Sequence, residues 1–228
     1  MTIKRLSLAE EREVILSLRG AEALGHGSSR VTYDLDSNLA ARLDLDMSRD
    51  YVVKLAVGRG GLNQMALETN TFYCYGESGH LATIAATGQF CEIMEKVRII
   101  DDLPYDSYDS FDDFIYDFDT DDYTNEQKLD MWKANNFLNE VFNDSADNWQ
   151  LGITVEGRAV SYDYGFNPGS DEEQLSSSSD RVADDTGDYY IGHIVQVIDE
   201  ALANGQGCVD VDFLAEFMGN IDEEMSAY

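Results

Sequence analysis

Tyr51-Val52-Val53-Lys54-Leu55-Ala56-Val57 is a β-branched, aromatic and aliphatic run interrupted by a single charge. Short runs of this composition read as strands. An ammonium inside one has two destinations. It points into a core or cleft, where it needs an anionic partner, or it lies at the strand edge with its stem on apolar surface. Residues 63–75 follow and read as a helix, with Leu62, Met65, Ala66, Leu67 and Phe72 available for an apolar face. Glu68 on that helix is the natural partner for Lys54.

Working outward from this pair, residues 10–19 predict a short helix that ends near Gly20, with Ser7 and Glu10 forming a capping box. Val31 to Leu35 predicts a strand. Residues 81–87 and 89–97 predict two more, broken at Gly88. Strands, one helix and then further strands define an α+β class and not an alternating parallel one. Beyond residue 124, helices are expected over 125–142, 189–203 and 211–218. A hairpin over 151–162 turns at Glu156-Gly157, and a loop rich in Gly, Ser and acid covers 168–188.

Several residues around this framework suit a nucleotide. ATP carries about four negative charges, so its site needs backbone amides, a placed cation and a held metal ion. Gly25-His26-Gly27-Ser28-Ser29 would let main-chain N–H groups approach phosphates without a Cβ in the way, although a plain Gly-rich turn explains the same residues. Asp163, in Tyr162-Asp163-Tyr164-Gly165-Phe166, follows the apolar pair Ala159-Val160 and sits where a strand ends. A carboxylate there can hold phosphate-bound Mg²⁺ or cap a turn. Asn148 offers the same ion a neutral oxygen, or is an ordinary loop residue.

Together these fragments resemble the protein-kinase-like superfamily, and in particular the small kinase-like proteins of tailed bacteriophages and bacteria. The resemblance spans about residues 20–170 and rests on Leu24-Gly25-His26-Gly27-Ser28-Ser29-Arg30-Val31-Thr32-Tyr33, Val53-Lys54-Leu55-Ala56, Gly61-Leu62-Asn63-Gln64 with Glu68, Cys91-Glu92-Ile93-Met94-Glu95-Lys96 and Asp163-Tyr164-Gly165. It implies a minimal two-lobed kinase-like fold, with an N-terminal lobe over 1–97 built as an antiparallel sheet plus one helix. A mainly helical C-terminal lobe over 98–228 would be truncated. It further implies ATP and Mg²⁺ as ligands: Gly25, Gly27, Ser28, Ser29 and Lys54 on phosphates, Glu68 holding Lys54, Glu95 at the adenine hinge, and Asn148 and Asp163 on the metal. The pattern departs from the family in three places. Arg30 stands at the third glycine, no Ala-Pro-Glu follows Gly165, and alignment on Asn148 puts Asn143 where the catalytic base belongs. An amide cannot accept a proton from a substrate hydroxyl, and Asp144 serves as base only if the loop register shifts by one. The resemblance therefore implies a degenerate kinase, or pseudokinase, with phosphoryl transfer as the alternative.

The formal charge is −30, from 15 Lys+Arg against 45 Asp+Glu. It is uneven: residues 1–98 hold 11 basic and 13 acidic side chains, and residues 99–228 hold 4 and 32. Such a field repels nucleic acid and anionic membranes and attracts basic proteins. Residues 101–123 carry ten Asp and seven aromatics with no basic residue, a content unlike that of a solvating tail. Phe111, Phe114, Ile115 and Phe118 recur at helical steps within it. Asp112, Asp113, Asp117 and Asp119, with Phe114 and Tyr116 as anchors, are the candidate surface for a basic partner, a host nucleic-acid-binding or defence protein that the acidic chain would engage as a DNA mimic. Scattered Cys74, Cys91 and Cys208 predict no disulfide framework or zinc site, only small buried side chains. The acids at the start rule against a signal peptide, and a cytoplasmic location is expected.

Overall fold

The computed structural model describes residues 2–26, 29–100, 108–118, 120–142, 150–164 and 186–210, with Phe213, Glu216 and Phe217. It is an α+β protein whose described residues fall into two compact units. The first, the sheet unit, takes its residues from Thr2–Ala66, Ile84–Met94 and Glu173–Tyr228; the second, the hairpin unit, from Leu67–Thr83 and Glu95–Glu172.

The sheet unit contains β1 (Lys4–Arg5), α1 (Leu8–Ser17), β2 (Ala23–His26), β3 (Arg30–Asp34), α2 (Ser37–Arg42) and β4 (Tyr51–Ala56). The chain then enters α3 (Gly58–Tyr75) and returns through β5 (Ile84–Thr87) and β6 (Cys91–Glu95). The strands form one sheet in the order β1-β5-β6-β4-β3-β2. Pairings β2–β3, β3–β4 and β5–β6 are antiparallel, while the edge pair β1–β5 is parallel, so the sheet is mixed where an antiparallel one was expected. Central β4 is buried at all six positions. That explains a continuous apolar run in place of the alternation that a sheet with one wet face would show.

α1 begins as its sequence dictates. The Ser7 hydroxyl accepts the Glu10 N–H, and the Glu10 carboxylate accepts the Ser7 N–H at 2.8 Å. Gly20, at φ 68°, then turns the chain where a side chain would be strained. Val14 and Ile15 of α1 are fully buried in one core with Val31, Val53, Leu55 and Ile93 of the sheet.

That core also takes α6 (Thr186–Ala203), whose Ile191, Ile194, Val195 and Ile198 form a stripe at helical spacing. The α6–α1 contact is tied by the two-nitrogen grip of Arg12 on Asp199 and by the Gly20 N–H donating to Asp188 at 3.0 Å. Farther on, Gln89 grips the Val209 backbone with both amide atoms, at 2.9 and 2.7 Å. Residues after 98 were expected to stay together in the acidic lobe, but α6 packs in the unit formed by residues 2–66. Its apolar stripe covers α1 and the sheet.

In the hairpin unit, β7 (Arg98–Ile99), β8 (Leu151–Ile153) and β9 (Ala159–Ser161) form an antiparallel sheet. The β8–β9 turn uses Gly157 at φ 85°, at the dipeptide read from sequence. α5 (Asn125–Phe142) packs on β9, and α4 (Phe111–Asp117) packs on α5. Phe111 of the acidic stretch enters that contact, and Tyr108, Phe114 and Phe118 cluster with it. Phe114 lies 5.6 Å from Tyr108 and 5.5 Å from Phe118 between ring centroids, Phe111 lies 6.0 Å from Trp132, and the Trp132 indole N–H donates to the Tyr108 carbonyl.

Candidate functional site

Lys54 lies on β4 opposite Thr32 of β3 and is 5 % exposed. Of the two destinations open to it, the buried one holds. Of the glycine-rich segment, Gly25 and His26 close β2, which pairs with β3. A Cβ at Gly25 would meet nothing within 4 Å, so the protein's own packing does not demand glycine there. Ser29 is fixed from both sides. Its hydroxyl donates to Gln64 of α3, and its carbonyl accepts the Val57 N–H at 2.8 Å. Gly61 completes this junction, because a side chain there would run into the Ser29 carbonyl and Ala56. Gly27 and Ser28 lie outside the described residues, as do Asn143, Asp144, Asn148 and Gly165.

In the hairpin unit, Glu68 is fully buried and its Oε1 accepts the Tyr164 N–H at 3.2 Å. The helix that was read as carrying a partner for a cation thus also holds the backbone one residue after Asp163. Asp163 is half-buried, whereas Tyr164 is 2 % exposed and its hydroxyl donates to the Ala82 carbonyl at 2.8 Å. Two backbone bonds fix the preceding residues: Ser161 N–H to the His80 carbonyl at 2.8 Å and Ala82 N–H to the Ser161 carbonyl at 2.7 Å. The strand expected over 81–87 is therefore divided. Only Ile84–Thr87 joins the large sheet, while Leu81 bridges to Ser161.

Glu95, expected at an adenine hinge, is 3 % exposed. Its carboxylate lies 3.5 Å from the Arg158 guanidinium, and its N–H donates to the Thr83 carbonyl at 2.9 Å. Arg158, which also donates to the Gly79 carbonyl at 3.2 Å, was not singled out from sequence; nothing in a turn arginine marks so distant a partner.

A second buried carboxylate was missed in the sheet unit. Glu11 of α1 is 1 % exposed and accepts the Phe90 N–H at 2.6 Å and the Cys91 N–H at 3.2 Å. Burial pushes its pKa up against the pull of those amides. Gly88 is required beside it, since a Cβ would strike the carboxylate. The available signal was spacing: Leu8, Glu11, Ile15 and Leu18 share one helical face. Cys91 is buried as expected, and burial followed by Glu11 raises its thiol well above the ordinary value. Cys74 and Cys208 are exposed, contrary to expectation, because their segments leave those positions at the surface.

On α4 the acidic candidates separate. Asp112, Asp113 and Asp117 are exposed, and Tyr116 is 84 % exposed. Phe114, expected as a partner anchor, is 1 % exposed among the rings of Tyr108, Phe111 and Phe118 and is not available to a partner. Asp119 lies outside the described residues. Among the described residues there is no group of three or more His, Cys, Asp or Glu that could hold a metal ion by itself, and no helix long and apolar enough to cross a membrane. The chain matches no protein-family model, and the search of curated proteins finds no match either.

Proposed function

We propose that this chain is a degenerate kinase-like protein that binds ATP with Mg²⁺, and that it presents an acidic surface to a basic protein partner. The hydrogen bond from Tyr164 N–H to buried Glu68 carries the nucleotide reading. It fixes the segment bearing Asp163 on the helix that also bears the proposed partner of Lys54. A buried carboxylate and a buried ammonium each need compensating partners, which in this reading they supply to one another. Supporting features are the sheet order β5-β6-β4-β3-β2, the helix α3 between β4 and β5, and a hairpin that ends just before Asp163.

In this reading Lys54 supplies the cation for the phosphates, and Gly25 leaves room for them. Asp163 contributes the charged metal ligand and Asn148 the neutral one, and the bound Mg²⁺ neutralises phosphate charge. The exposed part of half-buried Asp163 suits a ligand that arrives with its nucleotide. Asn143 at the base position makes the function binding and not phosphoryl transfer. Saturating ATP and Mg²⁺ should raise the melting temperature by RT ln(1 + [L]/Kd), about 2.7 kcal/mol at a hundredfold excess over Kd. Lys54→Ala and Asp163→Ala should each remove the shift. No shift in the unsubstituted protein at millimolar ligand refutes the reading.

The partner reading rests on Tyr116, an exposed ring among Asp112, Asp113 and Asp117. The chemistry fits a basic surface of the kind found on nucleic-acid-binding or defence proteins of a phage host. Neutralising the three aspartates to Asn should slow association and flatten its salt dependence, while Tyr116→Ala should speed dissociation at unchanged charge. Equal dissociation rates for Tyr116→Ala and the parent would reduce the surface to a solvated face.

A further inference from the structure

We propose that Tyr164 is the positioning residue for Asp163, and that its hydroxyl fastens the metal-binding segment to a backbone strip shared with Glu95. The inference rests on the nucleotide reading above. The Tyr164 hydroxyl is buried and donates to the Ala82 carbonyl at 2.8 Å, while the Tyr164 N–H donates to Glu68 at 3.2 Å. One residue is thereby anchored at both its backbone and its side-chain tip, directly beside Asp163.

The strip that receives the hydroxyl has other attachments. The His80 carbonyl accepts the Ser161 N–H, the Ala82 N–H donates to the Ser161 carbonyl, and the Thr83 carbonyl accepts the Glu95 N–H. Residues 80–83 therefore hold the proposed metal carboxylate through Tyr164 and Ser161, and the proposed hinge residue through Thr83. Both lie within the hairpin unit. Phenylalanine at 164 would fill the same space, leave the Ala82 carbonyl without this donor, and free the segment to move. Loosening it should weaken the metal's contribution to ATP binding and leave the metal-free contribution alone.

The test compares ATP affinity with Mg²⁺ and with EDTA for the full chain, Tyr164→Phe and Tyr51→Phe. Tyr51 is the control, since its hydroxyl also donates to a backbone carbonyl, that of Asp46, at 3.0 Å. Tyr164→Phe should cut the ratio of the two affinities about fivefold, the size of one neutral hydrogen bond, with the EDTA value unchanged. Tyr51→Phe should lower stability and leave the ratio intact. An unchanged ratio in Tyr164→Phe, or an equal fall in both variants, overturns the inference alone. No metal-dependent ATP binding in the parent overturns the nucleotide reading and this inference with it. Should Tyr164→Phe fail to fold, hydrogen exchange on the parent decides: ATP with Mg²⁺ should slow exchange at 80–83 and 161–164 together, ATP with EDTA should not, and absence of that difference refutes the proposal.

Discussion

β4 and α4 each carry residues that contradict their surroundings, and the structure treats the two exceptions oppositely. In β4 a lone charge, Lys54, sits in an apolar run and is buried along with it. In α4 aromatic rings sit in an acidic run, and Phe114 is buried while its neighbours Asp112, Asp113 and Asp117 stay outside. The α4 exception is explained by folding, because the rings build the contact with α5. The β4 exception is not explained by apolar packing, since a buried ion pair is often no more stabilising than apolar residues of similar volume in place of both partners. An odd residue that packing explains is weak evidence of function, and one that packing penalises is stronger. Tyr116, exposed where its neighbouring rings are not, is likewise left unexplained by the packing of α4.

Substitutions can break this comparison. Phe114→Ala should have the largest effect, a loss of about 3–5 kcal/mol in unfolding free energy read by chemical denaturation. Tyr116→Ala should change stability by no more than about 0.5 kcal/mol. Similar costs for the two would mean that the α4–α5 contact is not what orders the acidic stretch. Glu11→Ala should rank next, at about 2–3 kcal/mol, because it strips the Phe90 and Cys91 N–H groups of a buried acceptor. Glu11→Gln keeps an acceptor oxygen and should recover most of that loss. Lys54→Met should also destabilise the apo protein, by about 3 kcal/mol, since it leaves the buried Glu68 carboxylate without its proposed cationic partner.

The smallest expected effect is a pH dependence in which two adjacent residues act with opposite signs. The hydrogen bond from Lys4, then those from the Ser7 backbone and hydroxyl, hold Glu10 down from 4.5 to about 2. Its folded value lies below its unfolded one, so its stabilisation is present above about pH 4.5 and is lost as the pH falls toward 2. Burial raises Glu11, so its contribution is full at low pH and is lost as the pH rises through the folded-state value. In denaturation titrations Glu10→Gln should flatten the acid limb, and Glu11→Gln should flatten a slope of the other sign above it. The same change of slope from both would contradict the assignment of Glu11 as buried.

Much of the fold was legible because periodicity and turn chemistry are local. The capping box of α1, the whole of α5 and the Gly157 turn appear where the sequence places them. β1 is two residues long and carries no period. Gly25 and Gly27 disguise β2 as a loop, and three glycines in the first turn of α3 hide its start. The destination of α6 could not be read, because an apolar stripe says that a helix is covered and not by what. Lys54, Glu68 and Asp163 stood out through residue type against context, and the structure buries the first two and half-buries the third. Glu11, Arg158 and the Tyr164 hydroxyl did not stand out, because their partners lie between 63 and 82 residues away in the chain.

Calorimetric titration of the protein with ATP in excess Mg²⁺, beside Lys54→Met, tests the central claim most directly. A saturable single-site isotherm is expected for the parent and none for Lys54→Met, with circular dichroism showing both proteins folded at the assay temperature. Absence of binding in the parent, or an isotherm that Lys54→Met leaves unchanged, would contradict it.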